Sequence, residues 1–157
     1  MGRTIIETER VLPYAPADLC SLVGDVRAYP SFIPWLKSVR VLREAENPNG
    51  GWEGEAEAIV GWQALTERFT SKVRCMPRAG AVDVSLVKGP FRTLDNRWRF
   101  TPTESGGSKV HFWIAYEFKN PVLQGLLSAN RERVAGRIMA AFEAEAKRRL
   151  GATGQVG

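Results

Sequence analysis

The sequence lacks a long hydrophobic run, since no window approaches the roughly 20 apolar residues that cross a bilayer. Its first residues enter a strand pattern by Thr4 without the charged and then apolar leader of an exported protein. Only two cysteines are present, Cys20 and Cys75, which lie far apart in the chain and without the spacing of a metal or redox motif. These absences predict reduced core thiols, no metal site and a bacterial cytoplasmic protein.

Groups suited to acid–base catalysis are also scarce. The single histidine, His111, shares strand parity with Trp113 and Glu117, so it is expected to point away from the apolar face of its strand. Asp25 is expected to cap the turn through Tyr29, because aspartate is a favoured capping residue and no partner carboxylate lies at a telling spacing. We therefore predict a protein that is not an enzyme, with no catalytic residue and no catalytic cofactor.

The charge lacks a block of one sign, although 22 Lys and Arg against 17 Asp and Glu give a net charge of +5. An excess of this kind favours an anionic partner, either phospholipid head groups or RNA. Two basic stripes are predicted on an outer strand face and on a helix face, and they consist of Arg68, Lys72 and Arg74, and of Arg131, Arg133 and Arg137. Trp113 is the only outer-face aromatic near them, whereas base stacking needs several. Ordinary solubilising charge explains each arginine as well.

The chain contains enough apolar residues for one core, since 44% of its 157 residues are hydrophobic. Period-two alternation predicts a first strand and then a six-strand antiparallel meander. Helical spacing predicts a short helix beginning at Pro16 and one amphipathic helix of about 29 residues from Pro121. The predicted strands are 4–12, 38–44, 52–60, 65–75, 81–88, 94–101 and 109–118.

Between the short helix and the second strand lies the aromatic segment, which we define as Val23 to Trp35. It holds Tyr29, Phe32 and Trp35 together with two prolines, which push Tyr29 and Ile33 towards extended geometry. Such a stiff, apolar connection fits two structures. It either plugs one end of the sheet or forms the lip of a pocket.

Small residues mark the third strand. Gly54, Ala56 and Ala58 share its inward parity, whereas large residues such as Trp98 and Phe112 face inward from other strands. The space above the small residues is either filled by those aromatic rings or kept as an apolar cavity for a ligand.

At this point two motifs carry a resemblance. The order of elements resembles the helix-grip fold of START-domain and birch-pollen-allergen proteins. Residues 25–35, Asp-Val-Arg-Ala-Tyr-Pro-Ser-Phe-Ile-Pro-Trp, are similar to the pocket-mouth motif of the coenzyme Q-binding START family. Gly89-Pro90-Phe91-Arg92, followed by Leu94, Trp98 and Phe100, is the second matching stretch. That family includes the bacterial ribosome association toxin and is often labelled cyclase/dehydrase-like.

The resemblance implies an α+β helix-grip domain over residues 1–150, with a curved antiparallel sheet of about seven strands around the C-terminal helix, and a flexible tail at 151–157. It implies an isoprenoid quinone, such as ubiquinone, held between sheet and helix by a carrier or chaperone for respiration or quinone biosynthesis. Alternatives are a toxin-like protein that binds the large ribosomal subunit and, third, a cyclase/dehydrase-type enzyme. Leu36 departs from the family, because many members have cysteine there.

The predicted ligand-binding residues face the space between the sheet and the long helix. Asn96 and Asn130 are candidates for hydrogen bonds to a quinone oxygen, although backbone groups satisfy such buried amides equally well. Phe32 or Trp35, at the mouth, could dip into an anionic lipid surface at the inner membrane. The full set is Tyr29, Phe32, Trp35, Gly54, Ala56, Ala58, Phe69, Phe91, Asn96, Trp98, Phe112, Leu127, Asn130, Val134 and Ile138.

Overall fold

The computed structural model describes residues 2–62 and 65–154. The structure has seven strands and three α-helices; the strands and the short helix after the first strand follow the predicted order. The strands are β1 Thr4–Leu12, β2 Leu36–Glu46, β3 Trp52–Trp62, β4 Leu65–Met76, β5 Ala81–Lys88, β6 Phe91–Pro102 and β7 Ser108–Phe118. The helices are α1 Pro16–Gly24, α2 Pro121–Ala129 and α3 Arg131–Gly154, with 3-10 helices at Val26–Ser31 and Pro77–Ala79.

The strands form one antiparallel sheet in the order β1-β7-β6-β5-β4-β3-β2, which confirms the predicted fold class. Each short connection joins neighbours, and β1 closes the far edge against β7. Alternate side chains therefore point to the helical side of the sheet. On β7, for example, Val110, Phe112 and Tyr116 are buried there. No helix in the described ranges is long and apolar enough to span a bilayer.

The predicted single C-terminal helix is wrong at one position, because Asn130 divides it into α2 and α3. Asn130 has φ −109° and ψ 19°, outside the helical range, and its side-chain amide donates to the Leu126 carbonyl at 2.8 Å. Asparagine competes with helical hydrogen bonds in this way, while the apolar spacing continues undisturbed through the break. At the other end α3 continues to Gly154, four residues beyond the predicted boundary at residue 150.

The aromatic segment also differs from expectation, because Val26–Ser31 is a 3-10 helix with Pro30 inside it. Tyr29, predicted to be extended, therefore lies in a helical turn. Its carbonyl accepts from the amides of Phe32 and Ile33 at 3.1 and 2.8 Å, and its hydroxyl donates to the Val23 carbonyl. These hydrogen bonds and the burial of the ring outweigh the local preference that proline imposes on the preceding residue.

Gly54 lies beside an irregularity in the pairing of β2 and β3, between Val41 and Arg43. A Cβ built on Gly54 would come within 1.9 Å of the Arg43 carbonyl oxygen. The close approach of two backbones therefore requires glycine at this position.

We expect Gly54→Ala to lower the free energy of unfolding by about 1–3 kcal/mol, because backbone atoms must move to admit the methyl group. The matched control is Gly136→Ala, where an added Cβ meets nothing within 4 Å. This exposed helical position should instead gain up to about 1 kcal/mol. Urea unfolding followed by circular dichroism measures both variants, and equal stability of Gly54→Ala and the parent chain would contradict the steric explanation.

An ion-pair network centred on the buried Glu145 connects α3 to the aromatic segment. Glu145, only 3% exposed, accepts from Arg148 Nε and Nη2 at 2.8 and 2.7 Å and from Arg149 Nε at 2.5 Å. Arg149 Nη1 reaches on to Asp25 Oδ2 at 3.1 Å. The hydrogen bonds from Arg148, and then those from Arg149, hold the pKa of Glu145 below its ordinary value of 4.5.

This depressed pKa makes an acid-dependent contribution to stability. The unfolded chain takes up the Glu145 proton near its ordinary pKa of 4.5, whereas the native chain does so only at lower pH. The carboxylate therefore stabilises the fold above pH 4.5, and the contribution disappears as the pH falls through the native pKa. We expect Glu145→Gln to cost about 1–3 kcal/mol at pH 7 and progressively less below pH 4.5. Exposed Glu132→Gln is the control, and a cost that does not vary with pH would contradict the prediction.

The two cysteines, distant in sequence, lie side by side in the fold. Both are free and buried, and Cys75 Sγ donates to the Cys20 carbonyl oxygen at 3.6 Å. A hydrogen bond with Cys20 and burial raise the pKa of the Cys75 thiol. The predicted place of both thiols in the core is confirmed.

Candidate functional site

The aromatic segment packs onto the middle of α3. The ring centroids of Tyr29 and Phe32 lie 5.3 and 5.4 Å from that of Phe142, all in edge-on geometry. Arg149 approaches the Phe32 ring at 6.0 Å. Tyr29 and Phe32 therefore act as the plug considered from the sequence, while Phe32 and Trp35 remain only partly buried.

Beneath this plug the interior is filled. Trp98 lies 4.7 Å from Phe112 and 4.9 Å from Phe142, centroid to centroid, and Met139 is 1% exposed. The void between α1, α3 and the sheet measures only about 10 Å³, roughly the space of one water molecule. Trp98 and Phe112 thus fill this closed half of the interior, and they leave no cavity of quinone size there.

The small residues of β3 have a different neighbour from the one predicted. Ala56 is buried with Val26 of the 3-10 helix and Val73 of β4, so the space above it holds the aromatic segment. Ala58, two residues further along, is buried opposite Phe69 in the register of β3 and β4. Of the three small positions, Ala58 alone adjoins the part of the interior described next.

At the other end, apolar side chains face the interior and yet remain partly exposed. Inward-facing side chains at the closed half are buried, whereas those of Phe69, Leu86 and Phe118 are reached by solvent. This incomplete burial shows that solvent reaches the interior at this end, which we call the open half. Its side chains are Trp35, Leu36, Phe69, Leu86, Ile114, Phe118, Leu127, Val134 and Ile138.

A row of aromatic rings forms the sheet side of the open half. Phe69 on β4 lies 5.4 Å from Phe91 on β6, Phe91 lies 4.3 Å from Phe118 on β7, and Phe118 lies 5.8 Å from Tyr116. Edge-on and tilted contacts of this kind hold the rings in fixed orientation. The predicted residues Phe69 and Phe91 are thus brought together, and Phe118 and Tyr116 extend the set beyond the sequence prediction.

Backbone and core groups already engage the two predicted amides. Asn96 donates to the Trp113 carbonyl at 3.0 Å and accepts from the Trp98 indole at 3.0 Å, which fixes that indole in the closed half. Asn130 donates to the Leu126 carbonyl at the helix break. Both amides therefore have structural roles in this fold.

Sequence reasoning missed a polar group beneath α2. Gln124, 3% exposed, accepts from the Phe118 amide at 2.7 Å and donates to Thr4 Oγ1 at 3.0 Å, so it ties α2 to β7 and β1. The Thr4 and Ser128 hydroxyls are hydrogen-bonded to each other. The position of Gln124 in the helical pattern does not show whether this side chain is buried or exposed. The only hint in the sequence was that Tyr116, whose carbonyl oxygen lies beside Gln124, has inward parity.

Ion pairs occupy the outer face of the sheet where the structure describes it. His111 Nε2 contacts Glu7 Oε2 at 2.5 Å there, as the parity predicted, and Arg97 stacks on Trp113 at 4.8 Å. The acidic side chains of β3 pair with basic neighbours on both sides: Glu55 with Arg43 at 2.7 Å, Glu57 with Arg40 at 3.6 Å and Glu53 with Arg74 at 3.9 Å. The predicted basic stripe on β4 is therefore partly neutralised by the adjacent strand.

A polar cleft of about 380 Å³ lies outside the space between the sheet and α3, and it is bordered by α1, the 3-10 helix and the turn joining β2 to β3. Its rim carries the ion pair of Arg27 and Glu44, 2.6 Å apart, and the hydrogen bond from Arg27 lowers the pKa of Glu44. Its lining mixes charged and backbone groups with the edge of Trp52. This cleft is separate from the open half and lacks its apolar character.

Comparison with known proteins places the chain among proteins of one family. The family described as polyketide cyclase / dehydrase and lipid transport matches residues 12–143. The ribosome association toxin RatA of Pseudomonas aeruginosa is 30% identical over 148 residues, which cover 94% of this chain and 99% of the toxin. The mitochondrial coenzyme Q-binding protein coq10 of Schizosaccharomyces pombe is 33% identical over 141 residues, which cover 88% of this chain and 84% of that protein.

A solved structure agrees with these sequence matches. The solution structure of an 18 kDa protein from Caulobacter crescentus is 41% identical, has a TM-score of 0.75, and covers 96% of this chain and 99% of that one. The family match over residues 12–143 spans the aromatic segment, the meander, α2 and about the first half of α3. The chain belongs to the polyketide cyclase / dehydrase and lipid transport family and has its START-like helix-grip fold.

Proposed function

We propose that the protein binds an isoprenoid quinone in the open half and acts as a single-domain carrier or chaperone for respiration or quinone biosynthesis. The observation that carries this proposal is the incomplete burial of inward-facing apolar side chains between the aromatic row and α2–α3. The relative that binds coenzyme Q supports the ligand class. No catalytic residue and no catalytic cofactor is part of the proposal.

The energetics suit a prenylated ligand. Burial stabilises a hydrocarbon chain by about 0.8 kcal/mol per methylene group, so a few isoprene units offset the cost of ordering the ligand. Phe69, Phe91 and Phe118 offer flat rings on one side, and Leu127, Val134 and Ile138 offer aliphatic groups on the other. Trp35 and Phe32 lie at the edge, where a ligand would enter from the inner surface of a bacterial membrane.

Lipid extraction tests the proposal. Protein purified from a quinone-producing bacterium is washed and extracted with organic solvent. The extracted lipids are then identified by mass spectrometry and quantified relative to the protein. We expect an isoprenoid quinone at a substantial fraction of the protein, and a matched small soluble protein from the same host should carry none. Extracts without quinone, together with no uptake of added ubiquinone by the purified protein, would overturn the proposal.

Ribosome binding is the second candidate, and the similarity to RatA over nearly the whole chain favours it. Arg133 and Arg137 on α3 are exposed and form no ion pair with any described residue, so they are free to contact phosphate. Sucrose-gradient sedimentation after overexpression tests this function. Co-migration with large subunits and loss of assembled ribosomes would support it, and unchanged profiles would exclude it.

A further inference from the structure

The solvent-exposed face of α2 is apolar. Val122, Gly125, Leu126 and Ala129 follow one another at helical spacing on this face, and all four are exposed. Val122 is 78% exposed and Leu126 is 41% exposed, and Val122 is the most exposed large apolar side chain in the described ranges. Surface helices place polar residues on the side that faces water, so this apolar outer face indicates a contact that the isolated chain does not make.

The opposite face of α2 is anchored to the sheet. Gln124, only 3% exposed, accepts from the Phe118 amide at 2.7 Å and donates to Thr4 Oγ1 at 3.0 Å. Turning the helix so that Val122 and Leu126 face inward would break these hydrogen bonds, and burying polar groups without partners is costly. The apolar face therefore stays outward in the isolated chain.

Basic side chains lie at both ends of this apolar face. Lys119 precedes α2, and Arg131 and Arg133 follow it. All three are exposed, and none forms an ion pair with any residue that the structure describes. Glu132 is the one acidic residue between Lys119 and Arg133, so positive charge is in excess around the exposed apolar side chains.

An anionic lipid bilayer fits this combination better than a second copy of the chain or RNA. Apolar side chains of an interfacial helix enter the acyl region, while flanking Lys and Arg contact the head-group phosphates. Two copies that met through α2 would bring basic residues together whichever way the helices ran, and like charges repel. RNA is bound through aromatic stacking and polar contacts, which the aliphatic Val122 and Leu126 do not provide.

We propose that the outer face of α2 docks the protein on an anionic phospholipid bilayer, with Val122 and Leu126 in the apolar part of the interface. Lys119 and Arg133 then contact head-group phosphates. The Lys119 amide donates to the Pro90 carbonyl at 2.8 Å, so docking also brings the turn between β5 and β6 next to the membrane. This surface is distinct from the aromatic segment, and the inference does not require a bound quinone.

Flotation of the full-length chain with lipid vesicles tests the apolar part of the surface. Vesicles of phosphatidylcholine and phosphatidylglycerol in equal parts should bind the parent about tenfold or more tightly than vesicles of phosphatidylcholine alone. The double variant Val122→Gln/Leu126→Gln should bind the anionic vesicles about tenfold more weakly. Val11→Gln is the control and should bind as the parent does, because Val11 is 69% exposed and pairs with Lys109 at the opposite end of β7.

A second pair of variants tests the basic residues. Lys119→Gln/Arg133→Gln should lose most of the preference for anionic vesicles, whereas Lys109→Gln, exposed at the other end of β7, should keep it. Circular dichroism confirms that each variant is folded. Equal binding of anionic vesicles by Val122→Gln/Leu126→Gln and the parent would overturn the inference. A parent dimer that this double variant converts to a monomer would also overturn it, as would a loss of ribosomal RNA binding with unchanged vesicle binding.

Discussion

Replacing Ala58 with tryptophan is expected to weaken quinone binding by about tenfold or more while leaving the protein folded. Ala58 is buried on the inner face of β3, directly opposite Phe69 at the border of the open half. An indole there would occupy the space that the ligand needs. Because the neighbouring side chains are only partly buried, the ring has room, and overpacking should cost about 1–3 kcal/mol of stability.

Two matched variants sharpen the Ala58 experiment. Thr66→Trp adds the same ring to the exposed outer side of β4 and should leave binding unchanged. Ala56→Trp forces the ring against Val26 and Val73, which are 6% and 1% exposed, and should unfold the chain or strongly destabilise it. Quinone titration and circular dichroism measure the two effects. An Ala58→Trp protein that binds quinone as tightly as the parent would place the ligand elsewhere.

The second large effect is expected for Phe142→Ala, which should lower the free energy of unfolding by about 3–5 kcal/mol. Its ring lies within 5.4 Å of the Tyr29, Phe32 and Trp98 centroids, so one truncation removes the contact between plug, α3 and sheet. Since domains of this size are stable by about 5–15 kcal/mol, the loss is a large fraction of the total. Urea unfolding measures it directly.

Loss of Phe142 should also loosen the aromatic segment before the chain unfolds globally. Arg27, exposed within that segment, then becomes a faster site of tryptic cleavage. Phe142→Leu is the control, because it keeps most of the buried volume and should retain most of the stability and protease resistance. If the alanine and leucine variants unfold at the same urea concentration, the three ring contacts do not contribute the stability that we assign to them.

Much of the architecture is predictable because apolar and polar residues alternate along most of the strands. The period-two pattern of β7 and the short connections of the meander were sufficient to predict seven antiparallel strands. The break at Asn130 was not, because the apolar spacing of Leu127 and Val134 runs through it without a change of phase. Hydrophobic periodicity reports which side of a helix is buried and is insensitive to a single non-helical residue.

The site was less predictable than the fold, since its neighbours come from distant parts of the chain. Ala56 has the small side chain expected beside a cavity, but Val26, thirty positions earlier, occupies the space above it. Trp98 was expected to line the ligand site, and the structure places its indole against Asn96 and Phe142 in the closed half. Parity identifies which side chains face inward, whereas only the fold reveals which of them meet.

The paired charges on the outer face of the sheet have a consequence for how the molecule approaches other surfaces. Glu53, Glu55 and Glu57 offset basic neighbours on this face, and the chain outside residues 131–150 contributes only +2 of the net charge of +5. Residues 131–150 alone hold six basic and three acidic side chains. The excess positive charge of α3 therefore favours an approach in which α3 faces a polyanion, and this attraction acts within about 10 Å at moderate salt. Binding to a phospholipid bilayer and binding to ribosomal RNA would therefore both weaken as the salt concentration rises.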